Sequence, residues 1–141
     1  MKRFVKLTCL VLAFMLVMAI PAGAQEITPY ASSYFMSYNA YFDEITSTSF
    51  EVWFSVTALR RMEMLGVSYI DIERSSDGSN WRVVKTYDYS SYPDMMAYNA
   101  VGHGGHITYS ERQSGYQYRA YLNLYAKEGS GSSGYGVYIY L

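Results

Sequence analysis

The 141-residue chain predicts an all-β protein, an antiparallel β-sandwich of about seven short strands. Three observations carry that reading. Apolar and polar residues alternate with a period of two over most of the chain, and no stretch of useful length shows the 3.6-residue period of an amphipathic helix. Clusters of Gly, Ser, Asn and Asp separate the alternating runs at intervals typical of a sandwich. All 17 tyrosines lie after residue 24, where Leu, Ile and Val are sparse. Tyrosine must then supply core mass, since its ring buries much of the area of a Phe ring while its hydroxyl seeks a partner or water.

Residues 1–24 have the three parts of an export signal: a basic start at Met1–Lys6, an apolar run at Leu7–Ile20, and the small-x-small end Ala22-Gly23-Ala24. The apolar run is shorter than the ~20 residues that span a bilayer, so cleavage after Ala24 is expected, followed by secretion without membrane insertion. Cys9 leaves with the signal, and the remaining chain has no disulfide, thiol nucleophile or thiolate metal site. It keeps eight Lys and Arg against twelve Asp and Glu. Without a basic run it is not expected to bind nucleic acid.

Ile27 to Tyr41 reads as one or two strands, so residues 25–46 are an N-terminal strand region or an arm, and 47–141 form the sandwich domain. Phe50, Val52, Phe54, Val56 and Ala58 share one strand face, with Trp53 on the other. Arg60 to Leu65 allows at most one helical turn. From Val67 to Glu73, Ile70 and Ile72 point inward and Tyr69, Asp71 and Glu73 outward, because the opposite choice buries two carboxylates. Ser75-Ser76-Asp77-Gly78-Ser79-Asn80 is turn chemistry, and the strand from Trp81 to Tyr87 completes a hairpin. Tyr87 to Tyr98, which contains Pro93, reads as an irregular aromatic connection with room for one short edge strand, and Val101 to His106 as a glycine-rich turn or loop before a short strand at Ile107–Ser110. Tyr116, Tyr118, Ala120, Leu122, Leu124 and Ala126 then face inward on one strand. A flexible loop at Lys127–Gly134 leads to a last strand with Val137, Ile139 and Leu141 inward and Tyr138 and Tyr140 outward.

From Ser47 to Leu141 this layout resembles a fibronectin type III or related immunoglobulin-like module. The resemblance rests on the strand Ser49-Phe50-Glu51-Val52-Trp53-Phe54, the hairpin Tyr69 to Trp81, and the strand Tyr116-Gln117-Tyr118-Arg119-Ala120-Tyr121. It implies an immunoglobulin-like (fibronectin type III-like) sandwich, a core position for Phe54 where such modules commonly carry Trp, and a tyrosine-corner role for Tyr116. The leucine-proline pair that usually precedes that tyrosine is absent, as is the Arg-Gly-Asp of cell-adhesive members, so integrin binding is not implied. The whole chain also resembles small exported proteins of Gram-positive bacteria, an uncharacterised family.

Two sets of residues are candidates for function. If the strands adopt the usual order, Tyr69, Tyr121, Tyr125, Tyr138 and Tyr140 face outward on one sheet together with Asp71 and Arg119. Flat aromatic surfaces edged by charges dock glycans, cell-wall polymers or partner proteins, and an exposed strand edge near Tyr140 permits self-association. His103 and His106 can offer two imidazoles to a metal, with Asp94 or Glu111 as further ligands, and Ser110, His106 and Glu111 can be written as a hydrolytic set. A metal wants three or four ligands, and no nucleophile elbow or helix N-terminus is present to build an oxyanion hole. The expectation is a secreted, non-enzymatic binding or surface-interaction module without a cofactor. A small secreted hydrolase or metal-binding protein using the His103/His106 loop is the alternative.

Overall fold

Local strand propensity and turn chemistry act on a chain with almost no helical pattern, and among the described residues the outcome is six antiparallel strands and one turn of 3-10 helix. The computed structural model describes residues 33–141; residues 1–24, read above as an expected export signal, and the first part of the 25–46 region lie outside the described residues. The strands are β1 (Phe35–Thr46), β2 (Ser49–Ser75), β3 (Arg82–Asp88), β4 (Met96–Tyr109), β5 (Gln117–Glu128) and β6 (Gly131–Tyr140), with the 3-10 turn at Pro93–Met95. All belong to one sheet, and every pairing is antiparallel.

The organising element is β2, whose 27 residues run through the whole sheet. Its first half lies between β1 and β4, and its second half between β3 and β5, with β6 beyond β5. The sheet curls so that one face becomes the interior. Tyr118 of β5 stands 5.5 Å from Phe50 of β2 and 6.0 Å from Tyr109 of β4, ring centroid to centroid. Tyr38 of β1 meets Tyr135 of β6 at 5.5 Å. The Tyr87 hydroxyl donates to the Thr108 carbonyl at 2.8 Å, joining the inner sides of β3 and β4. The expected inward sets are buried: Phe50, Val52, Phe54, Val56 and Ala58 on β2, and Tyr118 through Ala126 at even positions on β5. The region before Ser47 is part of this structure, since β1 pairs along β2 and buries Phe35 and Tyr38.

Several expectations need correction. Arg60 to Leu65 is not a turn but the middle of β2, where register shifts interrupt the alternation. The buried positions change from even (Ala58, Met62) to odd (Leu65, Val67) and back to even (Ile70, Ile72). Each inserted residue reverses which side faces the core, so a long strand loses its period-two signature in the middle. Val101 to His106 is not a loop but part of β4. Gly102, Gly104 and Gly105 are extended, and positive φ occurs instead at Gly78, Gly115 and Gly129. Lys127 to Gly134 is a tight hairpin rather than a flexible loop, with β5 ending at Glu128 and β6 starting at Gly131. Tyr116 is 39 % exposed and lies under the Arg74 guanidinium instead of inside. Tyr118, 1 % exposed, makes the anchoring bond: its hydroxyl accepts the Gln113 backbone N–H at 2.8 Å.

Candidate functional site

The outer face of β3, β2, β5 and β6 gathers the predicted tyrosines through strand register. Asp71 lies opposite Tyr121, which lies opposite Tyr138; one row further on, Glu73 is opposite Arg119, which is opposite Tyr140. These rows bring together Tyr121 and Tyr138 at 4.8 Å, with Tyr69 at 5.8 Å from Tyr121 on the diagonal. The Tyr121 ring lies across Gly136, where an added Cβ would come within 2.7 Å of ring carbons, so the bare glycine seats it. Tyr125 is four residues from Tyr121, about 13 Å along the strand, and stands at the border of the group opposite Gly134.

Arg119 is the centre of the face. Its guanidinium carbon lies 4.4 Å from the Trp81 ring centroid and 4.5 Å from that of Tyr138, so the cation is held between two π faces. Its Nε and Nη2 both reach the Glu73 carboxylate at 2.6 Å. Burial opposes the charged form of Arg119, but the bonds to Glu73 and Tyr140 outweigh it and hold the guanidinium above its ordinary range. Glu73 is only 8 % exposed, and pairing makes that tolerable. Desolvation, then the neighbouring Tyr121, raises the Tyr69 phenol, so it stays neutral. Asp71 accepts the Thr86 hydroxyl at 2.5 Å. Tyr138 and Tyr140 remain open, at 45 % and 63 % exposure, and Trp81 packs edge-on to Tyr140 at 6.0 Å.

Trp81 was not among the expected site residues. Its signal was its place at the hairpin exit, one residue before β3, which brings an indole over the outward row of Arg119.

The two histidines do not converge. They are three apart on an extended strand, so they point to opposite sides of the sheet. His103 lies opposite the inward Val56, with Nε2 2.8 Å from the Asp94 carbonyl. His106 lies opposite the outward Trp53 and stacks on it at 4.4 Å. Among the described residues no group of three or more His, Cys, Asp or Glu is placed to hold a metal. The residues of the hydrolytic set, His106, Ser110 and Glu111, all border a cleft of about 580 Å³ between β3 and β4. The first two are four residues apart on extended chain, roughly 13 Å, beyond hydrogen-bond reach.

A second aromatic group occupies the outer face of the other half. Tyr41 of β1, Trp53 of β2 and His106 of β4 form one cross-strand row. The Trp53 Nε1–H donates to Glu51 Oε2 at 2.7 Å, and Glu51 Oε1 is 3.7 Å from His106 Nε2.

No family model matches the chain, and neither a curated protein nor a solved structure does.

Proposed function

We propose that the protein is an exported, non-catalytic binding module on an immunoglobulin-like β-sandwich, and that it docks a partner protein on the Tyr69–Tyr121–Tyr138–Arg119 face. The sandwich reading draws on the strand order. If the two halves of β2 count as successive strands, the module has seven strands in two layers, β1 with β2 and β4, and β3 with β2, β5 and β6. The bond from Gln113 to the Tyr118 hydroxyl, at the start of β5, has the form of a tyrosine corner, moved two residues from the expected Tyr116. Export rests on the Met1–Ala24 pattern.

The observation that carries the binding role is the Arg119 assembly. Tyr, Trp and Arg are the side chains that dominate protein interfaces, and they do so where their conformations are already held. Here Glu73 neutralises the cation and two rings fix its plane, so a partner meets a surface that needs little ordering. Enzymatic readings have less support, because the histidines diverge and His106 and Ser110 are too far apart to act together.

The test compares wild type with Tyr138→Ala and Tyr121→Ala. The purified chain is used to capture surface proteins of the producing cell, and affinity for each captured protein is then measured by calorimetry. Loss of about 1.4 kcal/mol or more, at least tenfold, is expected for Tyr138→Ala. A captured partner that binds both variants as tightly as wild type refutes docking on this face.

A further inference from the structure

The row Tyr41–Trp53–His106 is on the opposite half of the molecule and takes no part in the face described above. We infer that it is a separate binding site for neutral saccharide.

The indole is held as a stacking surface. Its only polar group is satisfied by Glu51 within its own strand, so the ring itself has no further hydrogen bond to offer. His106 covers one side at 4.4 Å and 24°. Tyr41 is parallel to the indole within 4°, but its centroid is 6.3 Å away, so the other side is incompletely covered. Tyr41 itself is 44 % exposed on an edge strand. Tyr41 and Trp53, parallel and offset on neighbouring strands, therefore present stepped aromatic surface backed by the tilted His106 ring, the shape against which the C–H side of a pyranose packs.

Beside the rings the sheet surface is low. The adjacent row is Asn39, Ser55 and Gly104, and the row beyond it Ser37, Thr57 and Gly102. No side chain there is large, and a depression of about 540 Å³ opens, bordered by Asn39, Tyr41, Trp53, Ser55, Gly104 and His106. That volume is within the range of small-molecule sites and exceeds one hexose, so a short oligosaccharide fits it better than a single ring. The Asn39 amide, the Ser55 hydroxyl and His106 offer both donors and acceptors at the rim, which suits hydroxyl groups that are both at once.

Charge selects among saccharides. The row on the other side of the rings is Asp43, Glu51 and Thr108, and no Lys or Arg occurs in any of these rows or around the depression. Two carboxylates beside a site that has no Lys or Arg, and only His106 as a basic group near Glu51, repel anionic polymers such as uronic-acid chains or phosphate-linked wall polymers, which leaves uncharged sugar as the occupant.

The experiment titrates the purified chain with cellohexaose, xylohexaose, maltohexaose and hexa-N-acetylchitohexaose, and with hexagalacturonate as the anionic counterpart, by calorimetry and by tryptophan fluorescence. Wild type is expected to bind at least one neutral hexamer and not hexagalacturonate. Trp53→Ala should weaken that binding at least tenfold, and Trp53→Phe, which keeps an aromatic ring, by a few-fold only. Trp53 points away from the core, so both variants should keep the wild-type far-UV spectrum and melting temperature within a few degrees. Tyr138→Ala should bind the sugar as wild type does. Absence of binding to all four neutral hexamers overturns the inference, as does undiminished binding by Trp53→Ala, or a preference for hexagalacturonate. Sugar binding lost in Tyr138→Ala but kept in Trp53→Ala also overturns it, and moves the saccharide to the face assigned above to protein.

Discussion

Replacing Tyr118 by Phe removes one oxygen from the middle of the structure and tests how the β4–β5 corner is held. The ring is 1 % exposed and packs against Phe50 and Tyr109, so Phe keeps nearly all of the packing. What is lost is the 2.8 Å hydrogen bond from the Gln113 N–H. A buried donor left without a partner costs about 1–3 kcal/mol, whereas a net hydrogen bond contributes about 0.5–1.5 kcal/mol. Gln113 is on the exposed corner, where its N–H can turn to water, so the lower figure applies and roughly 1 kcal/mol is expected. For a domain of this size that corresponds to a fall in melting temperature of about 4 °C. Tyr116→Phe is the control: its ring is on the surface under Arg74, and its stability should stay within about 0.5 kcal/mol of wild type. Tyr118→Ala sets the scale at about 3–5 kcal/mol, because the ring goes as well. Urea unfolding followed by tryptophan fluorescence measures all three. If Tyr118→Phe is as stable as wild type, or Tyr116→Phe loses as much, the corner is not anchored as argued.

Two further outcomes follow from the packing and the buried phenols. Gly66→Ala would place a Cβ 2.2 Å from the Met95 carbonyl oxygen and 3.0 Å from the Met96 Cα, both backbone atoms, so the 3-10 turn must move off β2. Urea unfolding should show a loss of about 1–3 kcal/mol or more, while Gly102→Ala, whose Cβ would meet nothing closer than 3.7 Å, should change little. Burial is the main cause that pushes the Tyr38 and Tyr87 phenols up to about 12. Folding therefore favours their neutral forms, so this contribution is complete below the unfolded phenol value of about 10 and is lost as pH rises through 12. Absorbance at 295 nm should show phenolate appearing late for two tyrosines. Tyr87→Phe should flatten the loss of stability between about pH 10 and 12, and an unchanged alkaline limb would contradict the assignment.

Strand faces were legible wherever alternation ran without interruption. Phe50 to Ala58, Tyr69 to Ile72 and Tyr118 to Ala126 each bury the side that their pattern predicts, whereas Val67, before the register shift, is buried on the other parity, and Glu73, expected outward, is only 8 % exposed because Arg119 pairs with it. The middle of β2 was not legible, since its shifts in register reverse the inward side twice and leave a run that looks aperiodic. The glycines of β4 misled for a different reason. Gly102 and Gly104 supply low surface beside a row of rings rather than positive φ, and nothing local distinguishes the two uses. The tyrosine face was legible in large part because period two fixes the outward residues, but Trp81 joins it from a turn, where periodicity says nothing. Tyr41, Trp53 and His106 needed the pairing of three strands separated in sequence, and only the register of β1, β2 and β4 brings them into one row.

The abundance of tyrosine has one physical origin with two outcomes. A curled sheet of this size has a thin interior, so a long side chain that starts in the core ends near its rim. Tyrosine suits that path, since the ring fills space where Leu, Ile and Val are few and the hydroxyl reaches backbone at the edge. Tyr87 donates to the Thr108 carbonyl and Tyr118 accepts from the Gln113 N–H. In both, the bond ties a buried ring to a segment that no ladder of its own strand holds. Phe at either site keeps the volume and loses the tie. On the outer face the same residue meets opposite demands: Tyr121 lies down on Gly136 and against Tyr138, with Arg119 fixed between Trp81 and Tyr138. Strand pairing alone requires only a fraction of a kcal/mol from each such neighbour and does not require an arginine held between two rings and a nearly buried glutamate. That difference separates the interior tyrosines, whose removal should lower stability, from the exposed Tyr138, whose removal should lower binding and leave the fold intact.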